Sequence, residues 1–122
     1  MKPFELDGKN LDLESFKMIA VNKLPVTVSS LALKKIKECR KIVEDIVEKN
    51  IVRYGINTGF GKFSSVVVDK KDTVLLQKKI ILSHAVGVGK PLPEDIVRGV
   101  MLLKLNSFLQ GYSGERIGGS FR

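Results

Sequence analysis

From Leu31 to Lys49, apolar residues recur at the spacing of one helix face: Leu31, Leu33, Ile36, Cys39, Ile42, Val43, Ile46 and Val47. A strand cannot gather that set on one side, because its side chains alternate with a period of two. The opposite face carries Lys34, Lys37, Lys41, Glu44, Asp45 and Glu48. Arg40 with Glu44, and Lys41 with Asp45, stand four residues apart, where opposite charges meet on a helix. Ser29 or Ser30 supplies an oxygen for the N-cap. One helix of this length commits the chain to packing that is largely helix on helix.

The flanking segments fit that frame. Leu6-Asp7-Gly8-Lys9 reads as a turn, and a short helix is expected from Asp12 to Ala20. Val26-Thr27-Val28 is β-branched and reads as a short strand. Residues 54–65 carry Gly55, Gly59 and Gly61, a density that excludes helix or ordinary strand. Val66-Val67-Val68 suggests another short strand. A helix follows Asp69 and reaches His84 or Ala85, and Gly87 to Pro93 breaks it. Pro93, Glu94 and Asp95 open a last helix running to Gln110, with acids placed to meet its dipole. Ile96, Val97, Val100, Met101, Leu102, Leu103, Leu105, Phe108 and Leu109 make it apolar on most faces. Such a helix is usually buried, and 122 residues have little to bury it with on all sides, so it is expected to be one side of a surface completed by other polypeptide; the alternative is the central helix of a compact bundle. The expected fold class is mainly α, with short strands and a Gly-rich loop.

Composition excludes several functions. The 122 residues hold 21 basic and 13 acidic side chains, a net charge of +8, and an apolar fraction of 43%. That apolar share is too high for disorder, and no apolar run approaches the ~20 residues of a membrane helix. Met1-Lys2-Pro3-Phe4-Glu5 lacks the apolar core of a secretory signal. Cys39 is the one cysteine and His84 the one histidine, too few soft ligands for zinc, so no metal is expected. A single cysteine also excludes an internal disulfide framework and points to a reducing, cytoplasmic compartment. The positive charge is interrupted throughout by Asp and Glu, and the chain has no Trp for base stacking. It reads as a solubility feature rather than a nucleic-acid footprint.

Phosphate motifs fail on inspection. A Walker A loop needs Gly, four residues, then Gly-Lys-Ser/Thr. Gly61-Lys62 has Ile56 and Phe63 at the outer positions, and Gly89-Lys90 has His84 and Pro91. Gly87-Val88-Gly89 is followed by Leu92 where a dinucleotide fingerprint needs its third glycine. Two side chains with chemistry remain. Tyr54 borders the Gly-rich loop, and His84 sits at a helix end. Residue type alone leaves each open: an acid–base group, or a side chain that packs and satisfies its own hydrogen bonds.

The order of the segments adds information. Tyr54-Gly55-Ile56-Asn57-Thr58-Gly59-Phe60-Gly61 resembles the tyrosine loop of the histidine and phenylalanine ammonia-lyases. Leu82-Ser83-His84-Ala85-Val86-Gly87-Val88-Gly89 is similar to that family's Ser-His-Ala-x-Gly-x-Gly segment. Met101-Leu102-Leu103-Lys104-Leu105-Asn106-Ser107 and Gly111-Tyr112-Ser113-Gly114 follow in the family's order. The resemblance is closer to histidine ammonia-lyases than to the plant phenylalanine enzymes, through Leu82-Ser83-His84 and Lys104-Leu105-Asn106.

The resemblance implies the helical N-terminal part of an ammonia-lyase-like fold. It assigns residues 1–114 to that segment and 115–122 to a divergent tail. It implies non-oxidative deamination of L-histidine to trans-urocanate and ammonia, with tyrosine or phenylalanine lyases and aminomutases as alternatives. It implies acid–base work for Tyr54 at the substrate's β-proton, and substrate binding for His84, Asn57 and Gly61. In the family the electrophile is a methylidene-imidazolone ring made from an internal Ala-Ser-Gly. Here Ala20, Ala32 and Ala85 are followed by Val, Leu and Val, so this chain cannot form that ring and holds no cofactor of its own. The expected role is that of an inactive lyase segment. It needs either a homo-oligomer or a C-terminal region to complete it, or it acts as a non-catalytic module pairing with a lyase subunit.

Overall fold

A computed structural model describes residues 2–117. The chain divides into two compact units. One comprises the described residues up to Lys41 together with those from Pro91, and the other is Ile42–Lys90.

The first unit begins with β1 (Phe4–Leu6), which pairs in parallel with β2 (Val26–Val28), Phe4 opposite Val26 and Leu6 opposite Val28. A parallel pair needs a crossover, and α1 (Leu13–Ala20) lies in it. Between β1 and α1 the Asp7 carboxylate accepts from Lys9 N–H at 2.7 Å and Asn10 N–H at 2.9 Å, closing the expected turn. Asp12 caps α1 in a reciprocal box: its Oδ1 accepts from Ser15 N–H, and Ser15 Oγ accepts from Asp12 N–H. At the other end Arg98 donates to the carbonyls of Ile19 (3.1 Å) and Ala20 (3.2 Å), placing a cation at the helix C-terminus.

Helix α2 (Ser30–Glu48) is the long helix expected, capped by Ser29, whose Oγ accepts from Ala32 N–H at 3.1 Å. Its buried residues are Ala32 and Ile36, while Leu31 and Ile42 are exposed. The apolar stripe read from spacing is therefore wider than the face that packs, and Ala32, too small to mark a stripe, is part of the core.

Helix α3 (Lys70–His84) belongs to the second unit, and α4 (Glu94–Phe108) returns to the first. α4 packs on α1, and at Gly99 the fit is tight: a Cβ there would lie 2.8 Å from Phe16 Cζ. Leu6, Ile19, Ala32, Ile36, Leu102 and Leu109 form the core. Only Gly99 and Leu102 of α4 are buried, and Ile96, Val97, Val100, Met101 and Leu103 face outward. The alternative of α4 as the centre of a compact bundle does not hold: one face packs and the rest is exposed, as expected of a helix with one side uncovered.

Two further expectations change. Phe4–Leu6, read only as the approach to a turn, is a strand, too short for alternation to reveal it. Val66–Val68 is not a strand but a single antiparallel bridge between Thr58 and Val67. Among the described residues no helix is long and apolar enough to cross a membrane, and no cluster of acidic, His or Cys side chains could hold a metal.

Candidate active site

Tyr54, Asn57, Gly61 and His84 all fall in the second unit. The first three share one loop, and two buried polar side chains organise it. Asn57 is 4% exposed and Thr58 1%. Asn57 Oδ1 accepts from Arg53 N–H at 2.9 Å, and its Nδ2 donates to the Ile51 carbonyl at 3.0 Å. Thr58 Oγ1 accepts from Gly55 N–H at 3.4 Å and donates to the Gly59 carbonyl at 2.9 Å. Around the bridge, Val68 N–H donates to the Asn57 carbonyl and Gly59 N–H to the Val66 carbonyl. Buried polar groups must be paired, and here the pairs are the loop's own backbone. Both ends of the Asn57 amide are committed in this way.

Tyr54 is 64% exposed. Its ring meets Phe60 edge-on, centroids 5.7 Å apart at 66°. Among the described residues its hydroxyl makes no hydrogen bond, so the polar tip points to nothing within the unit. Gly61 opens a short 3-10 turn, Gly61–Phe63, with φ +55° and open space where a Cβ would stand. Lys62 in that turn is exposed.

His84 closes α3, as its position in the sequence indicated. Its Nδ1 lies 2.8 Å from the Ile80 carbonyl and 3.0 Å from Ser83 Oγ. A carbonyl only accepts, so the neutral ring carries its proton on Nδ1 and presents Nε2 as an acceptor. No hydrogen bond or ring contact joins Tyr54 to His84 among the described residues. Thr58, which the residue-type reading passed over, is the most deeply buried polar side chain of the loop. Its only signal was its place beside Asn57 between glycines.

A sequence profile of the aromatic amino acid lyases matches residues 11–118. The chain belongs to the aromatic amino acid lyase family. Histidine ammonia-lyases of Caldanaerobacter subterraneus subsp. tengcongensis and Alkaliphilus metalliredigens are each 47% identical to it, over 96% and 95% of this chain. Each match covers 23% of the relative, so this chain spans about a quarter of their length. Solved structures agree on the fold. Histidine ammonia-lyase of Trypanosoma cruzi superposes with a TM-score of 0.86 at 30% identity, over 95% of this chain and 23% of that one. Tyrosine aminomutase of Streptomyces globisporus gives 0.88 at 35% identity, over 94% and 22%. The ergothionase of Treponema denticola gives 0.88 at 31% identity, over 93% and 23%. Members of this lyase family carry a self-derived methylidene-imidazolone. The residues here do not supply it, since none of the three alanines precedes Ser-Gly.

Proposed function

We propose that this lyase chain contributes the tyrosine-loop part of an ammonia-lyase site acting on L-histidine, with trans-urocanate and ammonia as products. The observation that carries this is the loop itself: buried Asn57 and Thr58 hold the backbone while Tyr54 stands out with an uncommitted hydroxyl. In this reading Tyr54 exchanges a proton at the substrate's β-carbon, and His84 offers Nε2 in the substrate pocket. Gly61 shapes the wall of that pocket, and Asn57 serves it through the loop. The electrophile that activates the amine would be a methylidene-imidazolone supplied by polypeptide outside these residues. Residues 1–114 do this work and the tail from 115 does not; residues 118–122 lie outside those described. Histidine is preferred over tyrosine or phenylalanine because the two relatives at 47% identity are histidine ammonia-lyases; among the solved structures identity does not separate the substrates, at 30% for the histidine ammonia-lyase and 35% for the tyrosine aminomutase. The proposed setting is a cytoplasmic homo-oligomer.

The test is a chimera in which these residues replace the matching quarter of the Caldanaerobacter enzyme. Urocanate formation, followed by its ultraviolet absorbance, is expected from the chimera and not from the 122 residues alone. Tyr54→Phe is expected to lower kcat by about a hundredfold or more, the range of a lost acid–base group. A fully active Tyr54→Phe chimera would remove the acid–base role, and urocanate from the isolated chain would remove the need for completion.

A second reading, a module that pairs with a lyase subunit, draws on the outward apolar face of α4. Such faces mark interaction surfaces. It predicts co-purification with a complete lyase. Val100→Glu with Leu103→Lys should abolish that pairing without unfolding the first unit.

A further inference from the structure

We propose that Thr58, together with Asn57, is a positioning residue for Tyr54. The two buried side chains clamp the backbone on both sides of the tyrosine. On the N-terminal side Asn57 Oδ1 takes the Arg53 N–H, and Nδ2 reaches back to the Ile51 carbonyl. On the C-terminal side Thr58 Oγ1 takes the Gly55 N–H and donates to the Gly59 carbonyl. The Arg53 carbonyl accepts from the N–H groups of Ile56 and Asn57, which closes the turn. Every one of these bonds lies within five residues of Tyr54.

The tyrosine cannot place itself. It is largely exposed, and its recorded ring neighbour, Phe60, is itself 42% exposed. A ring held by one edge contact has little to fix it. Its direction is therefore inherited from the backbone at residues 53–55, and that backbone is held by hydroxyl and amide groups rather than by apolar packing. A threonine fits the position for two reasons. Its hydroxyl both accepts and donates, as Gly55 N–H and the Gly59 carbonyl require. Its branched Cβ leaves few rotamers, so the hydroxyl stays aimed. Valine keeps the shape and deletes the hydroxyl, leaving a half-buried donor and acceptor without that partner; serine keeps the hydroxyl and deletes a methyl.

The catalytic part of this inference rests on the acid–base reading of Tyr54, so its test has one arm that does not. The chain contains two tyrosines and no tryptophan. Tyr112→Phe in the full 122-residue chain makes Tyr54 the sole strong intrinsic fluorophore. In that background Thr58→Val is expected to lower the steady-state anisotropy of Tyr54, and Thr58→Ser to leave it unchanged. In the lyase chimera Thr58→Val is expected to reduce kcat about tenfold or more with KM within about twofold, the signature of an interaction made in the transition state. Thr58→Ser should restore kcat. A purely structural Thr58 would lower the folded fraction and would not be rescued by serine. Unchanged anisotropy and kcat in Thr58→Val, or serine as damaging as valine, overturns the proposal. A change in anisotropy with Tyr54→Phe fully active keeps the positioning role and refutes the acid–base reading instead.

Discussion

Gly59 and Gly61 stand two residues apart in the tyrosine loop, and alanine should fail at each for a different reason. At Gly59 a Cβ would lie 2.6 Å from Phe63 Cβ and 2.7 Å from the Phe63 carbonyl oxygen. Neither atom is the far end of a side chain, so no rotamer change relieves the clash. The Phe63 backbone would have to retreat by nearly an ångström. It is tied by Phe63 N–H to the Phe60 carbonyl at 3.0 Å, and Gly59 N–H is tied to the Val66 carbonyl at 3.0 Å. A retreat of that size takes such a bond past hydrogen-bonding distance. Overpacking of this kind costs about 1–3 kcal/mol, and each lost bond about 1 kcal/mol net. Gly59→Ala should therefore destabilise the loop by about 2–4 kcal/mol.

At Gly61 there is nothing within 4 Å of the would-be Cβ, but φ is +55°. Alanine there carries only the left-handed penalty, about 1–2 kcal/mol. Asparagine tolerates that region, so Gly61→Asn should be near wild type, whereas Gly59→Asn should be as damaging as Gly59→Ala. Tyr54 fluorescence during urea denaturation, in the Tyr112→Phe background, reads the loop directly. Recovery by asparagine at 59, or a Gly59→Ala loop indistinguishable from wild type, would refute the steric account.

Other outcomes follow from the first unit. Leu109 is 1% exposed in the core, so Leu109→Ala should cost about 2–5 kcal/mol, read as a lower denaturation midpoint with an unchanged slope. The Ser15 hydroxyl and backbone N–H donate to the Asp12 carboxylate and hold its pKa below the ordinary aspartate range. A lowered folded pKa stabilises fully above the unfolded value and loses that stabilisation as pH falls through the folded one. Denaturation midpoints measured from about pH 6 to about pH 2 should thus fall less steeply in Asp12→Asn than in wild type; parallel curves would contradict the assignment. The Lys23–Glu94 pair is 2.9 Å apart but mostly exposed, so Lys23→Ala should change stability by less than about 1 kcal/mol.

How legible each feature was depended on what its signal measures. Helical spacing revealed α2 within a residue of its bounds, because periodicity reports the backbone directly. It does not report how fully each position is covered: Leu31 and Ile42 are exposed, Leu33, Cys39, Val43, Ile46 and Val47 are half-buried, and only Ile36 of the stripe is buried, with Ala32 beside it. β1 was missed because three residues carry no usable period, and its partner lies twenty residues on. In the loop, glycine density excluded regular structure correctly. Nothing in it distinguished the exposed Tyr54 from the buried Thr58, since the local hydrogen bonds that separate them depend on the loop's backbone conformation, which glycine density does not specify. The pairing of Tyr54 with a chemical role came from the order of whole segments rather than from residue type.

The two halves of the candidate site are stabilised differently, which yields a last expectation. The Tyr54 loop is held by polar bonds inside itself: Arg53 N–H on Asn57 Oδ1, Gly59 N–H on Val66, Val68 N–H on Asn57. Helix α3, which presents His84, is different. Among its described side chains none is buried, and Val74, Ile81 and Leu82 are each two-thirds exposed or more. A helix of 15 residues whose only covered face is the half-buried Thr73, Leu76 and Ile80 is marginal in water, whatever its propensity. Its Ser83 and His84 bonds to the Ile80 carbonyl lie within its own last turn and add no anchor elsewhere. In the isolated chain, amide hydrogen exchange should therefore be slowest in the part of α2 around Ala32 and Ile36, intermediate at Arg53, Gly59 and Val68, and fastest along α3. Docking a lyase partner that covers α3 should slow its exchange far more than that of the loop. If α3 in the isolated chain exchanges as slowly as the Ala32–Ile36 turn, then internal bonding suffices for His84, and the argument that its placement depends on added polypeptide is wrong.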